Sequence, residues 1–326
     1  MPDILVVGSL NADLVVRAPR FPQPGETISG EDLKVIPGGK GANQAVAAVR
    51  LGASVSMLGR VGKDNFGDFL LENLKSNNVD TQLVQRDDSS TGTAIIVVDG
   101  NGQNSIVLSA GANGKVSVSD VDHASFSTPS TRSGRRFSLL LLQLEIPTPT
   151  VLSAVKRAKE NGVRVLLNPA PAKDLPDELI ALADFLIPNE TELSLLTNQT
   201  VNNVPSAEIA AKTMLERGAQ TVIVTLGSEG ALIVTATQVT HVDAFKVDVL
   251  DTTAAGDAFI GGFATALLQN RPLEDAVRYG CACGALATTK FGAQPSLPTK
   301  EEVERFMSFP YGDNVRGRSL PEAISS

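Results

Sequence analysis

The sequence predicts an α/β fold in which a mainly parallel central sheet is flanked by helices and carries a small projecting β-sheet lid. Short continuous apolar runs, such as residues 4–10, 138–144 and 163–167, are typical of strands buried on both faces of a parallel sheet. Helical segments separate most of these runs, which predicts βαβ units. The alternation breaks at residues 14–36 and 91–109, where extended segments replace helices and predict the lid.

The lid is predicted from two extended segments and a hairpin. Residues 14–18 and 27–36 are extended segments on either side of a proline-rich turn. The Asp-Gly-Asn-Gly turn at residues 99–102 joins residues 91–98 to 105–109, which is a strong hairpin signal. Together they predict a four-stranded sheet. Around it, the sequence predicts a helix at 44–51, a strand at 55–61, and helices at 65–77 and 117–124.

From residue 137 onward, strands and helices alternate regularly. Strands are predicted at residues 138–144, 163–167, 185–188 and 221–225, with an antiparallel pair at 231–235 and 239–244. Helices are predicted at 151–161, 177–183, 193–197, 207–217, 273–289 and 300–306. Residues 125–136 are predicted to form a mobile surface loop, and the last fifteen or so residues to be loosely held. We therefore expect residues 1–326 to form a single domain.

Composition excludes several classes of protein. The 326 residues are 42% hydrophobic and 20% charged, as in a globular protein. A net charge of −8 argues against binding nucleic acid or an anionic membrane surface, and no apolar run approaches the ~20 residues of a membrane span. Cys281 and Cys283 lie two residues apart on a predicted helix and cannot easily form a disulfide. Because the N-terminus has no signal-peptide pattern, we expect a reducing, cytoplasmic location.

The most informative stretch is Asp-Thr-Thr-Ala-Ala-Gly-Asp at residues 251–257, followed by an apolar helix that runs to about Leu268. Small residues at a helix start leave its first N–H groups unpaired, and the helix dipole adds partial positive charge there. Such an end suits phosphate or a developing anion. Asp257 could accept a proton from a hydroxyl beside these amides, as phosphoryl transfer to an alcohol requires. The alternative is a plain capped helix.

Polar motifs also follow several other predicted strands, and together they predict one active-site cleft. They lie at residues 11–13, 145, 168–171, 189–192, 225–227 and 251–257. Ligands bind outside the carboxyl ends of strands in open α/β sheets. Asn11 and Asp13 could be turn formers or a donor–acceptor pair for sugar hydroxyls. The glycine-rich segment 37–43 has neither the dinucleotide spacing nor the P-loop spacing, so backbone and Asn43 contacts to hydroxyls fit it better.

Two long signatures resemble those of the ribokinase (phosphofructokinase-B-type) carbohydrate kinase family. The first begins Gly-Gly-Lys-Gly-Ala-Asn and covers residues 38–53, and the second covers residues 251–259. The resemblance extends over about residues 3–307. It implies a mainly parallel sheet of about nine strands, a β lid that often forms a dimer contact, and transfer of the ATP γ-phosphate to the 5-hydroxyl of D-ribose. The family uses Mg²⁺ and usually K⁺.

The resemblance also assigns site residues. Asp257 would be the base, and the amides of Ala254, Ala255, Gly256 and Asp257 the anion hole. The sugar site would comprise Asn11, Asp13, Gly39, Lys40, Gly41, Asn43, Glu145 and Asp257. The nucleotide would face Asn189, Thr225, Leu226, Gly227, Ser228, Glu229, Gly230, Gly256 and Cys281. Glu192 would position hydrated Mg²⁺, and K⁺ would be held by Asp251, Thr253, Ala287, Lys290, Gly292 and Ser296.

This sequence departs from the family's pattern in two places. Cys281 stands where relatives often have Asn or His near the adenine, which puts its contribution to nucleotide binding in doubt. The loop at 125–136 looks longer than usual. Another pentose, a deoxyribose or a nucleoside could be the acceptor, although Asp13 and Asn43 favour a free polyhydroxylated sugar. A non-catalytic sugar or nucleotide sensor is the alternative from another class, and the presence of Asp257 and Gly256 argues against it.

Overall fold

Two separate sheets organise the computed structural model, which describes residues 3–124 and 137–308. The loop predicted at 125–136 and the C-terminal residues that were predicted to be loosely held lie outside this part of the chain. The strands are β1 (Asp3–Val7), β2 (Asn11–Arg17), β3 (Lys34–Gly38), β4 (Val55–Gly62), β5 (Asp80–Asp87), β6 (Gly92–Val98), β7 (Asn104–Ser109), β8 (Phe137–Leu142), β9 (Arg164–Leu167), β10 (Phe185–Leu186), β11 (Thr221–Thr225), β12 (Ala231–Thr235) and β13 (Val239–Val242). The helices are α1 (Lys40–Arg50), α2 (Asn65–Ser76), α3 (Val118–His123), α4 (Thr148–Glu160), α5 (Asp177–Leu182), α6 (Glu190–Thr197), α7 (Val204–Glu216), α8 (Ala255–Leu268), α9 (Leu273–Ala287), α10 (Ala293–Ser296) and α11 (Lys300–Ser308).

The large sheet has nine strands in the order β13-β12-β11-β10-β9-β8-β1-β4-β5. All neighbouring pairs among β5, β4, β1, β8, β9, β10 and β11 are parallel. Strand β12 pairs antiparallel with both β11 and β13. The predicted mainly parallel α/β fold with an antiparallel pair at one end is therefore confirmed.

Alternating side chains of the interior strand β1 pack into two cores, one on each face of the sheet. Ile4 and Val6 belong to the core that contains α1, α8 and α9. Leu5 and Val7 belong to the core that contains α4 to α7. Burial on both faces explains why the strand is a continuous apolar run in the sequence. Among the described residues, no helix is long and apolar enough to span a bilayer.

The small sheet has the order β3-β2-β6-β7, and it combines the two early extended segments with the hairpin as predicted. Two details differ from the prediction. Strand β3 begins at Lys34 rather than at residue 27. Asn11 and Asp13, which could have been turn formers, lie inside β2 instead, because β1 ends at Val7 and the chain passes at once into the second sheet.

Strand β5, the short helix α10 and several helix starts were also predicted wrongly. Strand β5 was missed, because this edge strand is half-exposed on both faces and carries no apolar alternation. Helix α1 begins at Lys40, four residues before the predicted start at Gln44. The glycines of this segment looked like a loop, yet Gly39, with a φ of +88°, turns the chain directly into the helix.

Candidate active site

The carboxyl edge of the large sheet carries the candidate site. Strands β1, β8, β9, β10 and β11 run in the same direction and end at this edge. The polar residues that follow them are Asn11 and Asp13, Glu145, Asn168, Asn189 and Glu192, and the turn at 225–230. Hydrogen bonds bring residues after β1, β8 and β9 together with the starts of α1 and α8. The sequence predicted that these segments meet in one cleft.

Helix α8 starts without a side-chain cap. Ala254 precedes it in the left-handed conformation, with a φ of +59°. The Ala255 amide donates to the Thr252 carbonyl at 3.2 Å, whereas the amides of Gly256 and Asp257 have no acceptor within residues 3–124 and 137–308. A Cβ added to Gly256 would meet open space. The helix therefore offers two free N–H groups and its positive dipole end to an anion.

Asp257 is only 6% exposed, although it lies in the first turn of α8. The Asn43 side chain donates to its Oδ2 and the Gln44 side chain to its Oδ1, both at 2.9 Å. Helix α1 covers Asp257 because the two helices pack closely: a Cβ on Gly261 would lie only 2.9 Å from the Ala48 backbone nitrogen. The carboxylate is thus oriented by two amides before any substrate arrives.

Carboxylates of like charge surround a single lysine at the site. Burial raises the pKa of Asp13 to about 7, and the charges of Glu145 and Asp257 add to the rise. Burial alone lowers the pKa of Lys40, but the charges of Asp257, Glu145 and Glu192 outweigh it and raise the pKa above its usual value. Such a cluster of perturbed pKa values is typical of a functional site.

A cavity of about 80 Å³ lies between the small sheet and the carboxyl edge. Asn11, Asn113, Leu108 and Glu145 are among the residues that line it. Asn113 donates to the Asn11 Oδ1 at 2.7 Å, and it also bonds both the N–H and the carbonyl of Leu10. This bond uses the Asn11 Oδ1 and not its NH₂ group, which remains available as a donor to a ligand. The pocket therefore combines an amide donor with a carboxylate acceptor, as a polyhydroxylated ligand requires.

The glycines at the start of α1 bring this helix against the chain that follows β1. A Cβ on Gly41 would lie 2.6 Å from the Ser9 nitrogen, so only glycine permits this approach. Glu145 joins the two segments, because it accepts a bond from the Ser9 hydroxyl and one from the Lys40 backbone N–H at 3.1 Å. The predicted Gly39, Lys40 and Gly41 are thus adjacent to Glu145.

Asn189 and Glu192 form a reciprocal cap at the start of α6. The Asn189 Oδ1 accepts from the Glu192 N–H at 2.8 Å, and the Glu192 Oε2 accepts from the Asn189 N–H at 2.9 Å. Burial raises the pKa of Glu192, which also interacts with the charges of Lys40 and Asp257. Asn189 forms a parallel bridge with Thr225, so two residues assigned to the nucleotide are neighbours.

The turn between β11 and β12 contains the other residues assigned to the nucleotide. Ser228 and Glu229 are exposed, and a Cβ on Gly227 would meet open space. Leu226 is buried in the core and Gly230 lies against the backbone near Val242, so these two can offer a ligand only their backbone. The surface available at this turn is centred on Gly227 to Glu229.

Cys281 and Cys283 are free and buried. Burial raises the pKa of the Cys281 thiol to about 12. The thiol is therefore neutral at pH 7 and packs as a small apolar group in the core that contains α8 and α9.

Asp251 braces the loop that precedes α8. Its Oδ1 accepts from the N–H and the hydroxyl of Thr253, at 2.9 and 2.6 Å, and its Oδ2 accepts from the Gly292 N–H at 2.9 Å. Ser296 donates to the Ala293 carbonyl at 2.7 Å in the same 292–296 segment. Burial raises the pKa of Asp251, but the bonds from Thr253 and Gly292 outweigh burial and keep it below its usual value. Within the described residues, no three His, Cys, Asp or Glu side chains could together hold a metal.

The sequence interpretation missed four polar residues that contact the site, namely Ser9, Gln44, Asn113 and Gln143. Gln44 stands next to Asn43 within the first signature, and Gln143 two residues before Glu145. Gln44 could have been noticed as a polar residue inside a helix of small residues, and Gln143 as a polar residue at the end of an apolar strand. Asn113 carries no such signal, because its partners Leu10 and Asn11 are about 100 residues away.

A profile of the family described as "pfkB family carbohydrate kinase" matches residues 1–300. The chain is 42% identical to the ribokinase of Haemophilus influenzae over 305 residues, which is 93% of this chain and 98% of that one. It is 40% identical to the deoxyribokinase of Salmonella typhi over 308 residues, covering 94% and 99% of the two chains.

The structure is also similar to a solved one. The ribokinase of Arabidopsis thaliana, complexed with ribose and ATP, superposes with a TM-score of 0.85 at 32% identity. The match covers 95% of this chain and 99% of that one.

Proposed function

Because this chain belongs to the pfkB family of carbohydrate kinases, we propose that it transfers the γ-phosphoryl group of ATP to the 5-hydroxyl of D-ribose. The observation that carries the proposal is the buried Asp257 beside the free amides of Gly256 and Asp257 at the start of α8. A base and an anion site at one helix start are what phosphoryl transfer to a hydroxyl needs. The relatives named ribokinase support ribose as the acceptor.

Asp257 acts as the base in this proposal. Its carboxylate accepts the proton of the sugar hydroxyl as that oxygen attacks phosphorus. A weak base suffices, because a loose phosphoryl-transfer transition state needs little deprotonation early. The free helix N–H groups, together with the N-terminal dipole of α8, stabilise the charge on the transferred group. Most of the acceleration then comes from positioning and charge stabilisation.

The other predicted residues bind the two substrates. We assign the sugar to Asn11, Asp13, Asn43 and Glu145 and to the backbone of residues 39–41. Asn11 and Glu145 line the cavity, the Lys40 N–H bonds Glu145, and Asn43 bonds Asp257. We assign the nucleotide to Asn189 and the exposed part of the 225–230 turn. Cys281 can contribute only an apolar contact there. Mg²⁺ would neutralise the phosphate oxygens, and Glu192 would hold it through water, because its carboxylate lies near Lys40 and Asp257.

An acceptor panel tests the proposed function. ADP release should be measured with ribose, 2-deoxyribose, fructose and adenosine, and kcat/KM should be highest for ribose. The deoxyribokinase relative makes 2-deoxyribose the second candidate acceptor. A preference for adenosine or fructose, or no sugar-dependent ADP release, would contradict the proposal.

We also propose a cytoplasmic location, because two free buried cysteines suit a reducing compartment.

A potassium ion is the further cofactor that we propose, held behind the α8 start by the side chains of Asp251 and Ser296. Carbonyls of Thr253, Ala287, Lys290 and Gly292 would complete its ligands. The fit rests on Asp251, which stays ionised and already joins the 251–253 turn to the 292–296 segment. A monovalent cation would offset this charge and stabilise the loop that carries the anion site.

We expect activity to rise when K⁺ is added to enzyme freed of Na⁺ and K⁺, and to rise far less with Li⁺. The small ion is costlier to dehydrate, and loosely spaced carbonyls suit the larger one. In Asp251→Asn, the response to K⁺ should be lost. Initial rates in tetramethylammonium buffer measure this. Full activity in that buffer, without a response to K⁺, would mean that Asp251 only caps its turn.

The small sheet is, in our proposal, a lid sub-domain of a single kinase domain, and its outer face joins two copies of the chain. Val35, Leu14, Ile95 and Val107 are register partners in one row across all four strands. They lie on the face opposite the site, because Asp13 and Leu14 alternate along β2. Val35, Ile95 and Val107 are 41–63% exposed, and β7 is an edge strand. A continuous apolar row beside an unpaired edge favours a partner sheet.

We expect Ile95→Glu to convert a dimer into a monomer, because the variant places a charge in the middle of this row. Light scattering after size-exclusion chromatography measures the mass. Ile209→Glu is the matched control, since Ile209 is similarly exposed but lies on α7. A parent protein that is monomeric at tens of micromolar, or an Ile95→Glu variant that remains dimeric, would rule out this interface.

A further inference from the structure

A buried network of side-chain amides lies behind Asp257. Gln44 is its central member, because its Nε2 donates both to the Asp257 Oδ1 at 2.9 Å and to the Asn168 Oδ1 at 3.1 Å. Its Oε1 accepts from the Gln143 Nε2 at 2.6 Å. Gln44 and Gln143 are fully buried, and Asn168 is 9% exposed. Buried polar groups are costly when they are left unpaired, and in this network the Gln143 Oε1 has no hydrogen-bond partner among the described residues.

The direction of each bond in the network is fixed by a backbone carbonyl. Asn168 donates its Nδ2 to the Ile187 carbonyl at 2.9 Å, and a carbonyl can only accept. The Asn168 oxygen must therefore accept from Gln44, which turns the Gln44 Nε2 towards Asn168 and Asp257. The Asp257 carboxylate, which accepts when ionised, requires the same orientation. Both ends of the network thus make Gln44 a donor to Asp257.

The surrounding backbone makes room for this arrangement. A Cβ on Gly8 would collide with the Gln143 Oε1, so only glycine at the end of β1 leaves space for the Gln143 amide. Gln143 follows β8 and Asn168 follows β9, so three neighbouring strands position the network. Groups held by the ends of strands are held more rigidly than groups on loops.

We propose that Gln44 is a positioning residue that holds the Asp257 carboxylate in the orientation needed to receive the sugar proton. This proposal rests on the proposed function, in which Asp257 is the base. Two amide donors, from Asn43 and Gln44, occupy one site on each carboxylate oxygen. The remaining acceptor sites of the carboxylate are left for the incoming hydroxyl.

Gln44→Met tests the proposal, because Met has a similar length and volume but no N–H. We expect kcat to fall tenfold to a hundredfold, with ribose KM changed by less than about threefold, since a bond to a charged group is lost. Thr265→Val is the matched control: it removes a buried hydrogen bond to the Gly261 carbonyl in the same α1–α8 contact, without touching Asp257. It should leave kcat within about twofold. If Gln44→Met does not fold, Gln44→Glu is the second variant to test. It keeps the size of the side chain and the acceptor for Gln143, and its kcat should fall as well.

A double-mutant cycle separates positioning from a merely structural role. In the Asp257→Asn background, Gln44→Met should change the residual kcat by less than about twofold, because its effect runs through the Asp257 carboxylate. An equal proportional loss in both backgrounds would overturn the proposal, as would an unchanged kcat in the single variant. Near-normal turnover of Asp257→Asn alone would instead contradict the proposed role of Asp257 as base.

Discussion

Asp257→Asn is expected to lower kcat by about 10²–10⁴-fold, the usual effect of removing a general base. The two side chains have the same shape, so the fold and the ribose affinity should be retained. The loss can be larger than this range, because Asn43 and Gln44 both donate to the carboxylate and an amide can accept from only one of them. Coupled measurement of ADP release gives kcat, and calorimetry gives the ribose dissociation constant.

Asp88→Asn is the matched control for this variant, because Asp88 is a 91% exposed aspartate that lies in the loop before β6. It should behave as the parent enzyme does. Near-normal turnover of Asp257→Asn would remove Asp257 from the mechanism and leave it as the first-turn carboxylate of a plain capped helix.

Asp13→Ala is expected to weaken ribose binding by about 2 kcal/mol or more, roughly 30-fold. A hydrogen bond between a charged group and a buried partner contributes about 1.5–3 kcal/mol, and Asp13 is only 9% exposed. ATP affinity should barely change, because the nucleotide residues belong to other strands. Calorimetric titration with each substrate measures both. Equal losses for ribose and ATP would indicate misfolding instead.

The pH dependence of ribose binding gives a second measure of the role of Asp13. Its pKa of about 7 means that the carboxyl becomes ionised as pH rises from 6 to 8. Sugar hydroxyls donate more strongly to the ionised form. Ribose binding should therefore tighten by roughly three- to tenfold over this range. Asp13→Asn should lose this change, and an Asp13→Asn variant with the same pH dependence as the parent would assign the titration to another group.

Much of the fold could be predicted from the sequence, because two kinds of local signal are strong: continuous apolar runs and a hairpin turn motif. Strands buried on both faces, such as β1 and β8, are continuous apolar runs, and the Asp-Gly-Asn-Gly turn identified the hairpin of the small sheet. The edge strand β5 could not be found this way, since it packs only partly and alternates weakly. The start of α1 was misplaced because its glycines serve close packing rather than a loop.

The residues of the site were predicted more completely than their environment. Asp257, Asn43 and Glu145 stand in motifs that the sequence displays. The burial of Asp257 depends on the packing of α1 against α8. The raised pKa of Asp13 depends first on its own burial and then on the charges of Glu145 and Asp257, more than a hundred residues away. The bonds of Asp251 to Thr253 and Gly292 likewise link distant segments. Such contacts follow from the tertiary fold and have no local signal.

Product analysis tests the central claim most directly. The enzyme, ATP, Mg²⁺ and ¹³C-labelled D-ribose should be incubated together, and the product examined by ³¹P and ¹³C nuclear magnetic resonance. The account predicts one phosphomonoester, with phosphorus coupled to carbon 5 of ribose, formed in equal amount to ADP and absent with Asp257→Asn. ADP formation without a ribose phosphate, or phosphate on another ribose carbon, would contradict it.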